Sequence, residues 1–337
     1  MINFAIVIFV MSDFQLSFDF GGVRKEGEKV SSLPFSFVDL FCGVGGIRLG
    51  FDKYFGDCVF SSEVDVHAQK TYRVNFGELP FGDIRFIDEK DVPRHDILLA
   101  GFPCQAFSRS GLGGGFEDAR GTLFFEILRI LRRHRPKVVF LENVKGFRSH
   151  DQGRTFGISK KLLEDLGYRV YSKVLRANDF GVPQKRERIY IICFLEEESF
   201  SWPIAPLNRT NLGSILEENV AKKYTLSDRL WGGHQRRKRE HLEKGNGFGY
   251  CLFNERSEYT STLLARYYKD GSEILIEQLG KNPRKLTPRE AARLQGFPDS
   301  FIIPVSDTQA YKQFGNSVSV PVIKALAREI AFALHKK

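Results

Sequence analysis

The feature that most constrains the fold is an alternation of short apolar runs with longer helical stretches between Ser36 and Leu195. The runs are rich in Val, Ile and Phe, which is typical of βαβ units whose parallel sheet is covered by helices. The predicted strands are SFVDLF, CVFSSEV, the short edge FGDI, HDILLAG, KVVFLEN, YRVYSKVL and RIYIICF. We therefore expect an α/β fold with a doubly wound, mostly parallel sheet.

Helices are predicted from apolar spacing and from their end signals. In ARGTLFFEILRILRRHRP, Leu123, Ile127 and Leu131 recur at four-residue intervals with arginines opposite, which predicts an amphipathic helix. In TPREAARLQ, Thr287 is the expected N-cap and Pro288 the first-turn residue. The segment VPVIKALAREIAFALHKK predicts an amphipathic closing helix.

Composition divides the chain into parts. The 337 residues are 42% hydrophobic and 27% charged, which excludes a mainly disordered or fibrous protein. After Phe200 the strand and helix alternation stops, and residues 201–285 hold 15 Lys and Arg against 10 Asp and Glu, so they supply +5 of the +9 net charge. We predict an α/β domain over 34–200, a separate module over 201–285, and a return to the α/β domain over 286–337.

Residues 1–33 are interpreted as an appended arm. Its opening, MINFAIVIFV, is too short to span a bilayer and has no basic leader region, so we expect no membrane association, and Met11 is an alternative start. The cysteines are odd in number, scattered and never in a C-x-x-C pair, which argues against a disulfide framework or a zinc site. We expect no bound metal, a monomer and a reducing cytoplasm. The five are Cys42, Cys58, Cys104, Cys193 and Cys251.

Acidic residues and glycines follow the first strands at the edge where parallel α/β sheets bind ligands. The first strand leads into a G-x-G-G turn of Gly43, Gly45 and Gly46. Glu63 stands about twenty residues later, where an acid of such folds holds a ribose, and Asp83 follows the next strand. Such glycines also make plain strand-to-helix turns. Because the third glycine of a dinucleotide fingerprint is missing, an adenosine ligand other than NAD stays open.

A thiol and a carboxyl group follow the next two strands. Cys104 comes after Pro103 and opens a glycine-rich loop, a position that suits an exposed nucleophile, although most cysteines are small buried hydrophobes. Glu142 and Asn143 end the strand KVVFLEN. No histidine stands near either motif, which disfavours a base that strips the thiol. A thiol adding to C6 of cytosine fits instead, if Glu142 acts as the acid at ring N3; a structural salt bridge is its alternative role.

Arg186 and Arg188 precede the strand RIYIICF in the run QKRER. Residues two apart on a strand lie on one face, so this pair is predicted to donate to a phosphate or to a substrate carbonyl. The alternative is an ordinary solvated charge run.

Six motifs carry a resemblance to a known family. They are DLFCGVGGIRLGF, GFPCQAFSRSG, FLENVKG, QKRERIY, LTPREAARLQGFP and FGNSVSVPV. In this order, over residues 37 to about 330, they resemble the bacterial C5-cytosine DNA methyltransferases, especially the small enzymes of type II restriction-modification systems. The resemblance implies a Rossmann-like methyltransferase sheet, S-adenosylmethionine as cofactor, a smaller irregular target-recognition domain over 201–285, and protection of DNA against a partner endonuclease.

The resemblance also implies roles for individual residues. It makes Cys104 the nucleophile, Pro103 the residue that fixes its approach, Glu142 the contact to N3 and the exocyclic amine of a flipped cytosine, and Arg186 and Arg188 the holders of base and phosphate. The implied cofactor contacts are Phe41, Gly43, Gly45, Gly46, Glu63, Asp83, Ile84, Leu123, Asn316 and Ser317. Val64 departs from the family, which often has an aromatic residue there, so adenine stacking is expected to be weaker or supplied elsewhere.

The implied partner is double-stranded DNA. Thr262 and Leu263 match the family's pair near the DNA backbone, and a glycine-rich loop from Ser108 to Gly115 is the expected lid, with Ser110 touching the gap or a phosphate. The run that contains Arg236 and Arg237 would contact phosphates. The contacts expected on DNA are therefore Ser108, Ser110, Arg236, Arg237, Thr262 and Leu263.

Three alternatives remain at this level. A tRNA cytosine-C5 methyltransferase shares the catalytic motifs. A DNA-binding repressor lacks a separate helix-turn-helix extension here. An NAD-dependent oxidoreductase explains the glycine turn but leaves Cys104, Glu142 and the recognition segment unexplained.

Overall fold

The computed structural model describes residues 33–103, 123–206 and 210–335, which hold a central six-stranded sheet. Its strands lie side by side in the order β2-β1-β3-β4-β6-β5. Their bounds are β1 Phe37–Leu40, β2 Cys58–Ser62, β3 Ile97–Gly101, β4 Val138–Val144, β5 Arg169–Arg176 and β6 Glu187–Phe194. The expected α/β fold is thereby confirmed.

Nine α-helices are described alongside this sheet. They are α1 Arg48–Phe51, α2 Val66–Phe76, α3 Leu123–His134, α4 Gly146–Ser149, α5 Arg154–Asp165, α6 Asp228–Glu243, α7 Pro288–Leu294, α8 Asp307–Asn316 and α9 Val320–His335. Among these described helices, none is long and apolar enough to cross a membrane.

Strand direction decides where functional side chains meet. Strand β1 pairs in parallel with β2 and β3, and β3 pairs in parallel with β4, so their carboxyl ends share one edge. Gly101 of β3 stands opposite Glu142 of β4 in this register. Strand β6 runs antiparallel to both β4 and β5, which brings its first residues, near Arg188, to the same edge.

The sheet is buried on both faces, as expected of a doubly wound fold. On one face Phe37, Phe140 and Ile192 pack against α9, where Ile323 and Leu326 are fully buried. The opposite face is covered chiefly by α3, whose Ile127 and Leu131 are fully buried and whose Arg132 and Arg133 are exposed. The amphipathic helix predicted from its spacing is therefore confirmed.

Of the other predictions, the edge strand FGDI is wrong in its extent. Phe81 makes one parallel bridge to Ser62, and Ile84–Phe86 is a turn of 3₁₀ helix that begins at Asp83. The Asp83 side chain accepts from the Arg85 N–H at 3.0 Å, which favours the helical turn over an extended strand. The predicted start of α7 is confirmed, because Thr287 forms a capping box with Glu290.

The segment from Thr210 to Lys285 has little regular structure besides α6 and the two short strands β7 Leu252–Phe253 and β8 Leu275–Ile276. A third apolar cluster joins it to the carboxyl-terminal helices. In that cluster Leu263, Tyr267 and Ile274 pack with Leu294 of α7 and Phe314 of α8.

Candidate active site

A cavity of about 590 Å³ opens at the carboxyl ends of β1 to β4. Its size lies within the range of pockets that hold small molecules and cofactors, about 300–1,000 Å³. It is lined by the glycine turn after β1, the ends of β2 and β4, the start of the 3₁₀ turn and the end of α8. Of the described residues expected to bind a cofactor, all but Gly45 line it: Phe41, Gly43, Gly46, Glu63, Asp83, Ile84, Leu123, Asn316 and Ser317.

The glycine turn needs backbone angles that only glycine adopts freely. Gly43 and Gly45 have φ of +54° and +83°. A Cβ at Gly43 would meet nothing within 4 Å, so this backbone faces open space in the cavity. A Cβ at Gly45 would overlap the Phe76 ring, and one at Gly46 would lie 2.7 Å from the Ser317 hydroxyl. Gly45 and Gly46 therefore serve close packing, whereas Gly43 leaves room for a ligand.

Glu63 is held rigidly at the end of β2. One carboxylate oxygen accepts from the Gly43 N–H at 2.8 Å, and the other accepts from the Asp65 N–H at 2.8 Å. Burial raises the pKa of Glu63, while these backbone donors oppose the rise. The carboxylate thus ties the glycine turn to β2 and lies in the cavity wall.

Asp83 is anchored by its neighbour Arg85. The Arg85 guanidinium donates to both Asp83 oxygens, with Nε lying 3.0 and 2.9 Å away, and this pairing lowers the pKa of Asp83. Arg85 and Lys312 also line the cavity. Neither was predicted; the nearness of Arg85 to Asp83 in sequence was the available signal, and Lys312 offered none.

Glu142 is the central acidic group of the far wall. It is 9% exposed, and Arg188 Nε lies 3.2 Å from its Oε1. Burial raises the pKa of Glu142, and the positive charges of Arg188 and Arg186 oppose the rise. The prediction that burial shifts this carboxyl toward a proton donor agrees in direction with the structure.

Asn143 fixes the backbone beside Glu142. Its Nδ2 donates to the Phe102 carbonyl at 3.0 Å, and its Oδ1 accepts from the Val144 N–H at 2.8 Å. Phe102 is followed by Pro103, which lines the cavity. The amide therefore holds the last stretch of chain before Cys104. Cys104 itself, with Ser108 and Ser110, lies outside the described residues.

Arg186 and Arg188, predicted to lie on one face of the strand, both line the cavity. The Arg186 guanidinium is 2% exposed and donates to three backbone carbonyls, those of Leu263 at 3.1 Å, Gly315 at 3.1 Å and Ser317 at 2.5 Å. Burial lowers the pKa of Arg186 to about 9. Its terminal nitrogens therefore join distant segments at the cavity wall, while its Nε is buried without a hydrogen-bond partner among the described residues, and its role in holding base and phosphate stays a prediction.

Four of the residues predicted to contact DNA lie in the described part of the chain, and they differ in exposure. Leu263 is fully buried in the third apolar cluster, so its side chain cannot touch DNA, and that prediction is wrong for the side chain. Thr262 donates its hydroxyl to the Lys185 carbonyl at 2.6 Å. Arg236 and Arg237 are exposed on α6, where Arg237 pairs with Asp270 at 3.3 Å.

Comparison with known proteins agrees with the motifs. The family model described as C-5 cytosine-specific DNA methylase matches residues 35–331. The type II methyltransferase M.SsoII of Shigella sonnei is 60% identical over 89% of this chain and 81% of its own length. M.NlaX of Neisseria lactamica, also a type II methyltransferase, is 59% identical over 89% of this chain and 97% of its own length.

Solved structures share the fold at low sequence identity. The Entamoeba histolytica methyltransferase EhMeth superposes with a TM-score of 0.75 at 21% identity, covering 91% of this chain and all of that one. The Dnmt2 methyltransferase of S. pombe gives 0.73 at 20% identity, covering 90% and 99%. With the family model spanning nearly the whole described chain, this protein belongs to the C-5 cytosine-specific DNA methylase family.

Proposed function

We propose that this chain transfers a methyl group from S-adenosylmethionine to C5 of a flipped-out cytosine in double-stranded DNA, through a covalent bond between Cys104 and C6. One observation carries the proposal. The buried carboxyl group of Glu142, paired with Arg188, lines the same cavity as Pro103, the residue immediately before Cys104. An acid and a nucleophile on neighbouring strand ends are what addition to a pyrimidine ring requires.

The cavity fits S-adenosylmethionine. Gly43 leaves its backbone open to the cavity, Glu63 presents a fixed carboxylate at the position expected for a ribose, and Asp83 lies farther along the same wall. Asn316 and Ser317 at the end of α8 would hold the methionine part. When bound, the cofactor would supply an electrophilic methyl group.

The chain's own groups then divide the chemistry. The Cys104 thiolate forms a bond to C6 while Glu142 gives a proton to N3, so the electron pair of the C5–C6 double bond becomes available at C5. After C5 has taken the methyl group, loss of the C5 proton to a base restores the double bond and expels the thiolate, and Glu142 regains its proton from N3. Burial raises the pKa of Glu142 and so favours the protonated form that this step needs.

Duplex DNA is the proposed substrate because relatives at 58–60% identity are named type II methyltransferases. A ring atom inside a base stack is out of reach, so the cytosine must be extruded at a cost of a few kcal/mol. Residues 201–285 are proposed to read the sequence around it, with the exposed Arg236 contributing phosphate contacts. We further propose that the chain works as a monomer in the cytoplasm and protects DNA from a partner endonuclease.

The nucleophile is tested by Cys104→Ser. We expect loss of methyl transfer to duplex DNA, measured with tritium-labelled cofactor, and nearly unchanged cofactor binding measured by calorimetry. Cys251→Ser is the matched control, because that thiol is exposed and lies outside the cavity. Full activity of the Cys104 variant would refute the covalent mechanism. Equal or greater transfer to tRNA than to duplex DNA by the parent enzyme would favour the tRNA alternative.

The proton donor is tested by Glu142→Gln. The amide keeps the shape of the side chain but cannot give up a proton to N3, so we expect a large fall in rate with DNA binding retained. The control is Glu164→Gln on α5, an exposed carboxylate that pairs only weakly with Lys160. An unchanged rate in the Glu142 variant would remove it as the acid.

A further inference from the structure

A second concavity, of about 920 Å³, lies beside the candidate active site at the open edge of the sheet. We call it the β5 groove. It is bounded by α4, the carboxyl end of β5 and the chain from Trp202 to Ala205. Strand β5 is the last strand of the six and pairs only with β6, so the groove follows an edge that no other described strand covers.

The β5 groove carries an excess of positive charge. Four basic residues line it against two acidic ones, which leaves a formal net charge of +2. Lys145, Arg148, Lys173 and Arg176 are all exposed. A concave surface with one dominant sign of charge concentrates ligands of the opposite sign.

The basic residues differ in how they are held. Glu187 accepts from Lys145 Nζ at 2.9 Å and from Arg176 Nε at 3.2 Å, so one carboxylate fixes two cations. Arg148 and Lys173 have no ion pair with a described residue, and Lys173 Nζ lies 6.0 Å from the Trp202 ring centroid. Two cations are therefore anchored in position and two keep their full charge for a ligand.

The groove begins one residue away from the candidate active site on two strands. Val144 and Arg188 line the cavity, whereas Lys145 and Glu187, their chain neighbours, line the groove. Val144 and Arg188 are partners in the β4–β6 register, so both connections occur at one point of the sheet. A long polyanion seated at the cavity would continue directly into this groove.

We propose that the β5 groove binds the sugar–phosphate backbone of the DNA that flanks the target cytosine. This proposal rests on the proposed function, because that function makes DNA the polyanion. It assigns one phosphate contact to Arg148 and one to Lys173, both outside the cavity and outside residues 210–285. A small anion would need no groove that runs along the strand edge, and an acidic protein would gain nothing from continuity with the cavity.

The test is the double variant Arg148→Ala with Lys173→Ala, which leaves the ion pairs of Glu187 with Lys145 and Arg176 intact. The matched control is Lys53→Ala with Lys324→Ala. It removes the same charge at two exposed positions outside both concavities. Lys53 also matches Lys173 in lying near an aromatic ring, with its Nζ 5.6 Å from the Tyr54 ring centroid. Binding to a labelled 40-base-pair duplex is measured by fluorescence anisotropy from 50 to 300 mM salt, after thermal unfolding has shown that all three proteins fold.

Each phosphate contact contributes about 0.9 to the slope of log affinity against log salt, so the groove variant is expected to lose about 1.8 from this slope and up to about thirty-fold in affinity at 0.15 M salt. The control variant should keep the parent slope. An equal loss in both variants would mean that only net charge matters, and no loss in the groove variant would equally overturn the proposal.

If polyglutamate binds the parent better than the groove variant while duplex binding is unchanged, the groove takes an acidic protein instead. Because the readout is DNA binding, a parent enzyme that transfers no methyl group would refute the proposed function and leave this result standing.

Discussion

At the scale of single residues, Glu142 is caught between opposing effects. Burial favours its neutral form, and the guanidinium of Arg188, with Nε at 3.2 Å from the carboxylate, favours the charged form. The neutral form carries the proton that the proposed reaction needs. The ion pair with Arg188 therefore orients the Glu142 carboxyl group but disfavours its protonated form.

We expect Arg188→Met to move the alkaline limb of the kcat–pH profile to higher pH. Removal of the positive charge raises the pKa of Glu142 further, so the proton is retained to a higher pH. Arg188→Lys keeps the charge and should leave this limb near its parent position even if the rate falls. The profile is measured from pH 5 to 9 at saturating DNA. A limb that stays in place or moves to lower pH would contradict the coupling.

Asp39 is a second buried carboxyl group, below the glycine turn. It is fully buried, neither of its oxygens has a hydrogen-bond partner among the described residues, and burial raises its pKa to about 8. The folded protein thus keeps a proton that an unfolded chain releases near pH 3.9. Asp39 therefore lowers stability progressively as pH rises from about 4 to about 8.

Asp39→Asn should remove this loss, because the amide resembles the protonated acid in shape and charge. Relative to the parent, the free energy of unfolding should rise between pH 5 and pH 8 by up to about 4 kcal/mol. Urea unfolding at both pH values measures the difference. Asp165→Asn, at an exposed pair with Lys161, should change stability by less than about 0.5 kcal/mol at either pH. A constant difference between Asp39→Asn and the parent would refute the buried proton.

At the scale of elements, α7 is fixed by one carboxylate. Glu290 is fully buried and accepts from both terminal nitrogens of Arg284, at 2.7 and 2.8 Å, and from the backbone N–H groups of Thr287 and Glu217 at 2.8 Å each. All four donors come from outside the helix, and three of them, the two Arg284 nitrogens and the Glu217 N–H, belong to the irregular segment before it. Glu290 therefore both caps α7 and holds the irregular segment against this helix.

Glu290→Gln should lower the free energy of unfolding by about 3–5 kcal/mol, because it leaves the buried Arg284 without a counter-charge. Chemical denaturation measures this, and Glu164→Gln on α5 is the exposed control. Arg284→Met combined with Glu290→Leu should recover part of the loss, since it removes both charges. A loss of unfolding free energy below about 1 kcal/mol in the single variant would show that the Arg284–Glu290 pair does not hold the irregular segment against α7.

Local signals account for what the sequence predicted at this scale. The start of α7 follows from Thr287 and Pro288, which are neighbours in the chain, and α3 follows from the spacing of Leu123, Ile127 and Leu131. The cavity wall was predictable for a related reason: Glu63 follows β2 and Glu142 lies near the end of β4, and the carboxyl ends of parallel strands share one edge. Capping and periodicity act within a few residues, so a single sequence displays them.

Long-range partners account for what was not predicted. Arg186 reads as an ordinary member of a charge run, but its three carbonyl partners lie 77 to 131 residues away. The same holds for Leu263, whose burial depends on α7 and α8. The sequence suggested contacts to substrate or DNA for both residues, but it did not display the distant partners that bury them.

At the scale of the whole molecule, Arg186 connects the regions proposed to hold cofactor and DNA. It joins the Leu263 carbonyl, in the segment proposed to face DNA, to the Gly315 and Ser317 carbonyls beside the cofactor cavity. Gly315 adds to this contact, because a Cβ there would overlap the backbone of Leu264. The two proposed binding regions therefore share Arg186 as a common support.

Arg186→Lys should weaken both binding functions together. One ammonium group cannot reach three carbonyls that a planar guanidinium spans, and each hydrogen bond from a charged group contributes about 1.5–3 kcal/mol, so we expect a rise of about ten-fold or more in Kd. Calorimetry with S-adenosylmethionine and anisotropy with duplex DNA measure the two constants separately. Arg85→Lys is the control, because Arg85 borders only the cofactor wall and should affect cofactor binding alone. If Arg186→Lys changes one constant and spares the other in a protein of parent thermal stability, the two regions do not depend on a shared support.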